Sequence, residues 1–180
     1  MRSVVGGLVL VGMLTLTGCV DGDPLPTLPP TPTSTPIFAS EEEALAAAEE
    51  AYAAYLEMSN LIASEGGVNP ERIAALVTDE RLIDELRGFE TLRELQVHTS
   101  GRDTFETIEL QRFDQTDDGA EVVLYVCWDA SAVRVLDATG ADVTPSERNV
   151  HDLLEVVMVT VGESPSLVLS SDEPWSSSTC

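Results

Sequence analysis

The stretch SEEEALAAAEEAYAAYLEMSNLIASEGG, residues 40–67, decides how the rest of the chain can be arranged. Ser40 followed by Glu43 makes a capping box, and Glu41 and Glu42 place negative charge in the first turn, where the helix dipole favours it. Leu45, Ala48, Tyr52, Tyr55 and Ile62 then recur at helical spacing until Gly66-Gly67 ends the pattern. The spacing predicts one amphipathic helix of about six turns. A helix with one apolar face needs a second layer to cover it.

That layer is written downstream. Asn69-Pro70 reads as an N-cap and first-turn proline opening a short helix through Ile73, Leu76 and Val77. Thr78 caps a third helix carrying Leu82, Leu86, Phe89 and Leu92, with a break expected at Gly88. After Gly101 the period changes. Residues 104–113, 120–128, 132–137, 152–161 and 166–171 are β-rich, punctuated by turns at Asp117-Asp118-Gly119 and Thr139-Gly140. In 122–128 both faces are apolar: Val122, Leu124, Val126 and Trp128 on one, Val123, Tyr125 and Cys127 on the other. A strand of that kind belongs to a strongly bent sheet or to one covered from both sides. Helices first and four to six antiparallel strands after them define an α+β fold.

This order, a long N-terminal helix across a curved antiparallel sheet, resembles the nuclear transport factor 2-like cone over about residues 40 to 175. The resemblance implies a pocket between the long helix and the concave sheet, in a superfamily that includes ketosteroid isomerases and polyketide cyclases. Tyr52, Tyr55, Tyr125, Trp128 and Asp129 are the candidates to line such a pocket. No local motif matches the isomerases' catalytic pair, so no catalytic residue is assigned. A cystatin-like single helix on a meander is the competing architecture, and three helical segments before the strands argue against it.

The N-terminus reads separately. Arg2 precedes the uncharged, mostly apolar run from Val4 to Leu16, the layout of a secretory signal too short for a comfortable membrane span. Leu16-Thr17-Gly18-Cys19 resembles the lipobox of bacterial lipoproteins. That resemblance implies cleavage after residue 18 and a diacylglycerol on the Cys19 thiol, and two acyl chains suffice for stable anchoring. The alternative is an ordinary signal or uncleaved anchor with a chance cysteine. Residues 19–37 then form a tether rich in proline and threonine, with too few large side chains for a packed core. Fully extended, it spans about 50 Å. One domain, 38–180, remains. Cys127-Trp128-Asp129, Arg134-Val135-Leu136-Asp137, Glu173-Pro174-Trp175 and the terminal Cys180 resemble actinobacterial lipoproteins of uncharacterised function. The expected location is the extracytoplasmic face of the cell membrane.

Composition narrows the chemistry. The chain has nine arginines and no lysine, which excludes Schiff-base catalysis on its own residues. Without Arg2, eight arginines face 32 acidic residues, a net charge near −24. Such a surface repels nucleic acid and anionic headgroups and keeps the domain soluble; a cation or basic partner is compatible but not required. Cys127 and Cys180 are the pair left once Cys19 is set aside. In an oxidising compartment they read as a disulfide, against the rival reading of two free thiols. His98 and His151 lack Cys or His partners at ligand spacing, so neither a metal nor a cofactor is expected. Asp114–Gly119 loosely echoes a calcium loop, but its twelfth position falls on Tyr125, and a hairpin turn fits better. No GxSxG, HExxH, phosphate-loop or dinucleotide fingerprint is present.

Two functional expectations follow. One is a lipid-anchored, non-enzymatic module that binds an envelope partner or small ligand. The other is an isomerase- or cyclase-like enzyme using Asp129, or a Glu beside a tyrosine. A raised carboxylate facing an enclosed cavity favours the enzyme, and a cavity filled by side chains favours the module.

Overall fold

In a computed structural model, which describes residues 36–162, 165–175 and 180, the helices precede the main sheet as the hydrophobic periods require. The signal segment 1–18, Cys19 and the tether to residue 35 lie outside the described residues. Helix α1 spans Glu41–Ser64. Ser40 Oγ accepts from the Glu43 backbone N–H at 3.3 Å, and Glu43 Oε2 reaches back to the N–H of Ala39 at 2.7 Å. The reciprocal half of the box is thus shifted one residue outward. At the other end the Gly67 N–H donates to the Ile62 carbonyl at 2.9 Å. Gly67 has φ +78°, and a Cβ there would lie 2.3 Å from the Phe89 carbonyl oxygen, so only glycine fits.

The Asn69-Pro70 signal yields a 3-10 helix, Pro70–Ala75, and Asn69 makes no side-chain cap. Asn69 instead takes the left-handed backbone (φ 51°), which asparagine tolerates better than most residues. Its carbonyl accepts from the Arg72 N–H and Nε, and Arg72 also pairs with Glu65. Helix α2, Asp79–Leu95, is capped by Thr78 Oγ1, which accepts from the Arg81 N–H at 3.3 Å. It runs unbroken through Gly88, contrary to the expected break. A single exposed glycine costs a helix too little to stop it when Phe89 is anchored in the core.

Six strands follow: β1 Val97–Ser100, β2 Thr104–Thr116, β3 Gly119–Asp129, β4 Arg134–Asp137, β5 His151–Thr160 and β6 Leu167–Pro174. The main sheet is antiparallel throughout, in the order β2-β3-β5-β6, and it curves beneath the helices. Strand β4, read from sequence as one of a single series, leaves that sheet and pairs with β1 in a separate two-stranded ribbon. The β2–β3 turn falls at Asp117-Asp118, as the turn signal predicts. Past the 3-10 helix, Leu76 and Thr78 hydrogen-bond to Leu169 and cover part of the β6 edge.

The core lies between the helices and one face of the sheet. Tyr52 and Ile62 of α1 and Ile73 meet Val122, Leu124 and Val126 of β3, Val156 and Met158 of β5 and Leu169 of β6, all fully buried. Ile37 and Phe38 already pack against this core, and Gln115 brackets Phe38 with two backbone hydrogen bonds. Strand β2 has register shifts between Thr107 and Glu109 and between Leu110 and Arg112. Each extra residue resets the alternation, so Phe105, Leu110 and Phe113 all meet the core although they are not spaced by two. The α+β architecture read from the sequence, one long N-terminal helix and shorter helices on a curved antiparallel sheet, is the architecture of the domain.

A Cβ at Gly88 meets nothing within 4 Å and the site is helical. Gly88→Ala is therefore expected to raise unfolding stability by about 0.5–1 kcal/mol, measured as a shift in denaturant midpoint at unchanged slope.

Candidate functional site

Between α1, α2 and β6 lies a part-buried polar cluster that neither the motifs nor the composition announced. Arg81 on α2 bonds Glu85 at 2.8 Å and Asp172 on β6 at 2.6 Å. From α1 the Tyr55 hydroxyl donates to Glu85 at 2.8 Å and accepts from Arg81 at 3.3 Å. Tyr52 stacks on Tyr55 with ring centroids 5.9 Å apart and meets the Phe105 ring edge-on at 4.9 Å. Its hydroxyl is fully buried and has no hydrogen-bond partner.

Two carboxylates share one guanidinium, so the cluster carries one negative charge that nothing neutralises. Burial, with Glu85 and Glu173 nearby, outweighs the pull of Arg81 and raises the Asp172 carboxyl to about 6. Burial first, then Asp172, also raises the Tyr52 and Tyr55 hydroxyls, so both stay protonated.

The opposite face of the sheet carries a second arrangement. Strand alternation sends Val123, Tyr125, Cys127 and Asp129 away from the helices. Trp175 and Cys180, described beyond β6, both meet this face. The Trp175 N–H donates to the Leu153 carbonyl at 2.8 Å, and its ring lies 4.9 Å from that of Tyr125. Cys180 reaches Cys127 at disulfide distance, with S–S 2.17 Å and Cα atoms 5.8 Å apart. Beside this bridge opens a groove of about 1000 Å³ lined by Glu106, Ile108, Trp128, Asp129, Arg148 and His151, among others. His151 Nε2 lies 3.2 Å from Asp129 Oδ1. Hydrogen bonds from Ser131, and the neighbouring His151, hold the Asp129 carboxyl below its ordinary range. Arg148 is held by the carbonyls of Ala130 and Val133.

The five residues expected around one pocket are therefore divided. Tyr52 and Tyr55 are packed inside, filling the space between α1 and the sheet. Trp128 points to the helix side at the rim, where Nε1 donates to Asp103 at 2.8 Å, and Asp103 pairs with Asn60 of α1. Tyr125 and Asp129 stand on the other face. The two-residue period of β3 forbids Tyr125 and Trp128 from sharing a side. Asp129, exposed and held ionised, is a poor proton acceptor at neutral pH.

Arg81, Glu85 and Asp172 escaped the sequence reading. The first two have a signal, an Arg and a Glu four apart beside the apolar stripe of α2. Asp172 has none, because a register shift in β6 past Leu169 turns it inward. Among the described residues no group of three or more His, Cys, Asp or Glu is placed to hold a metal ion. Neither protein-family models nor curated protein sequences yield a match to this chain.

Two predictions follow from this geometry. A raised folded-state value means that Asp172 stabilises the fold fully only below its unfolded value near 3.8, and that this contribution is lost as pH rises through about 6. The loss amounts to about 3 kcal/mol. Asp172→Asn is expected to match wild type near pH 4 and to exceed it in stability near pH 7, followed by urea unfolding across that range. An equal or lower stability of the variant at pH 7 refutes the shift. Second, closing the long loop between Cys127 and Cys180 stabilises the fold by about 4 kcal/mol in the chain-entropy model. Intact mass should show no alkylatable thiol at either position without reductant, and Cys180→Ser should lower stability by about 2–5 kcal/mol.

Proposed function

We propose that this chain is a lipid-anchored protein of the extracytoplasmic membrane face, a non-enzymatic module that binds an envelope partner or small ligand on the outer face of its sheet. The observation that carries this reading is the filled interior. Fully buried Tyr52, stacked on Tyr55 and set against Phe105, occupies the space where the cone resemblance implies a ligand. The open concavity lies instead beside the Cys127–Cys180 bridge, with mixed polar and apolar walls suited to recognition. A disulfide-distance pair suits an oxidising compartment, in keeping with the lipobox resemblance at Cys19.

One observation favours the enzyme reading instead. Asp172 carries a raised carboxyl beside two protonated tyrosines, and Glu85 bonds Tyr55, the pairing of groups that isomerases of this superfamily use. Against it, both carboxylates are already engaged by Arg81.

Cell fractionation tests the anchor: Cys19→Ser is expected to move the protein from the membrane pellet to the soluble fraction, and equal pelleting of both forms refutes lipidation. A photo-reactive side chain at Ile108, in the groove, tests binding against one at Ile83, exposed on α2. Adducts in intact cells are expected at Ile108 and not at Ile83; no adduct at Ile108 refutes the binding reading.

A further inference from the structure

The outer sheet face has an unbalanced row of charge. Strand pairing sets Glu109, Tyr125, Glu155 and Glu173 side by side across all four strands, all on the face away from the helices. Glu155 and Glu173 are directly opposite each other, an arrangement that destabilises a sheet when no cation intervenes. The row on one side is Arg112, Val123, Val157 and Ser171, and its cation is already engaged by Asp114 at 2.9 Å and Glu121 at 2.6 Å. On the other side stands Glu106, opposite Cys127. Among the described residues, no arginine or histidine forms an ion pair with any of these four glutamates.

Over the middle of the row lie two aromatic rings. Tyr125 and Trp175 are tilted at 35° to each other, and Trp175 is 45% exposed although it packs on the sheet. An exposed tryptophan packed on a half-buried tyrosine and flanked by unpaired carboxylates is matched by a planar cation. Arginine stacks on ring faces and forks onto carboxylates, whereas lysine does the second only as a point charge. Aspartate- or glutamate-bearing ligands are repelled.

We infer that this face docks an arginine-bearing extended segment of a partner protein, with a guanidinium seated on Tyr125 and Trp175 between Glu109, Glu155 and Glu173. The inference rests on the binding-module reading above and gives it a partner chemistry. The segment continues past Glu106 into the groove beside the Cys127–Cys180 bridge, which gives it room and a direction. Association is salt-sensitive, because the seat is at the surface.

The test uses the full chain in neutral detergent and a capped heptapeptide alternating glycine and arginine, with binding read by calorimetry and by tryptophan fluorescence. The variant E109Q/E155Q/E173Q is expected to weaken binding about tenfold or more. It relieves the Glu155–Glu173 repulsion, so it should fold at least as well as wild type. E50Q/E57Q/E94Q, with the same net charge, is expected to change affinity less than about threefold, the size of a screened long-range effect. Trp175→Leu keeps an apolar cover and removes the ring, and should weaken binding about threefold to tenfold. The proposal is overturned if the peptide does not bind, if both triple variants weaken it equally, or if Trp175→Leu changes nothing. Failure of the peptide while the Ile108 adduct persists overturns the arginine seat and leaves the binding module standing. Loss of both removes both.

Discussion

A strand that is apolar on both faces cannot be left with one face in water, and β3 is such a strand. Val122, Leu124 and Val126 need the helices, while Val123, Tyr125 and Cys127 need a second cover. The domain meets the first need with α1 and α2, and on the second face it sets two residues beyond β6. Trp175 lies on Tyr125 and Cys180 on Cys127. The pairing of Cys180 with Cys127 pins this contact to the sheet, and the groove opens beside it.

On the helix side the same logic runs to completion. Aromatic rings from α1 and β2 fill the interior, and two part-buried carboxylates converge on Arg81 at its edge. These bonds join α1, α2 and β6 through one guanidinium. The space between α1 and the sheet is thereby filled by side chains, and the open groove lies beside the Cys127–Cys180 pair.

The architecture was legible because it rests on long periods. The α1 stripe, the Thr78 cap and the two apolar faces of β3 each involve many residues whose local preferences agree with their packing. What escaped notice depended on single residues. Asn69 reads as a cap and serves as a left-handed hinge, because one residue type suits both roles. Gly88 reads as a stop, yet tertiary anchoring through Phe89 overrides it. Asp172 carries no signal in the sequence, because a register shift past Leu169 is what turns it inward. The division of Tyr125 from Trp128 is written in their spacing of three along a strand, which puts them on opposite faces and so excludes one pocket lined by both. The groove was not legible, because its walls come from β2, β3, the segment before β5 and Cys180, segments far apart in sequence.

The packing of α1 against β6 has a consequence in time. These are the first and last regular elements of the domain, and each covers the other. A chain that emerges amino end first presents the apolar stripe of α1 well before β6 exists to receive it. The helix-side interior as it stands needs both elements, so it is complete only once the last strand is present. Until then the molecule is a helix with an uncovered flank and a sheet missing an edge, the kind of intermediate that associates with its own copies. Contacts that join the two ends of a sequence also slow folding, since the intervening loop must be gathered before they form.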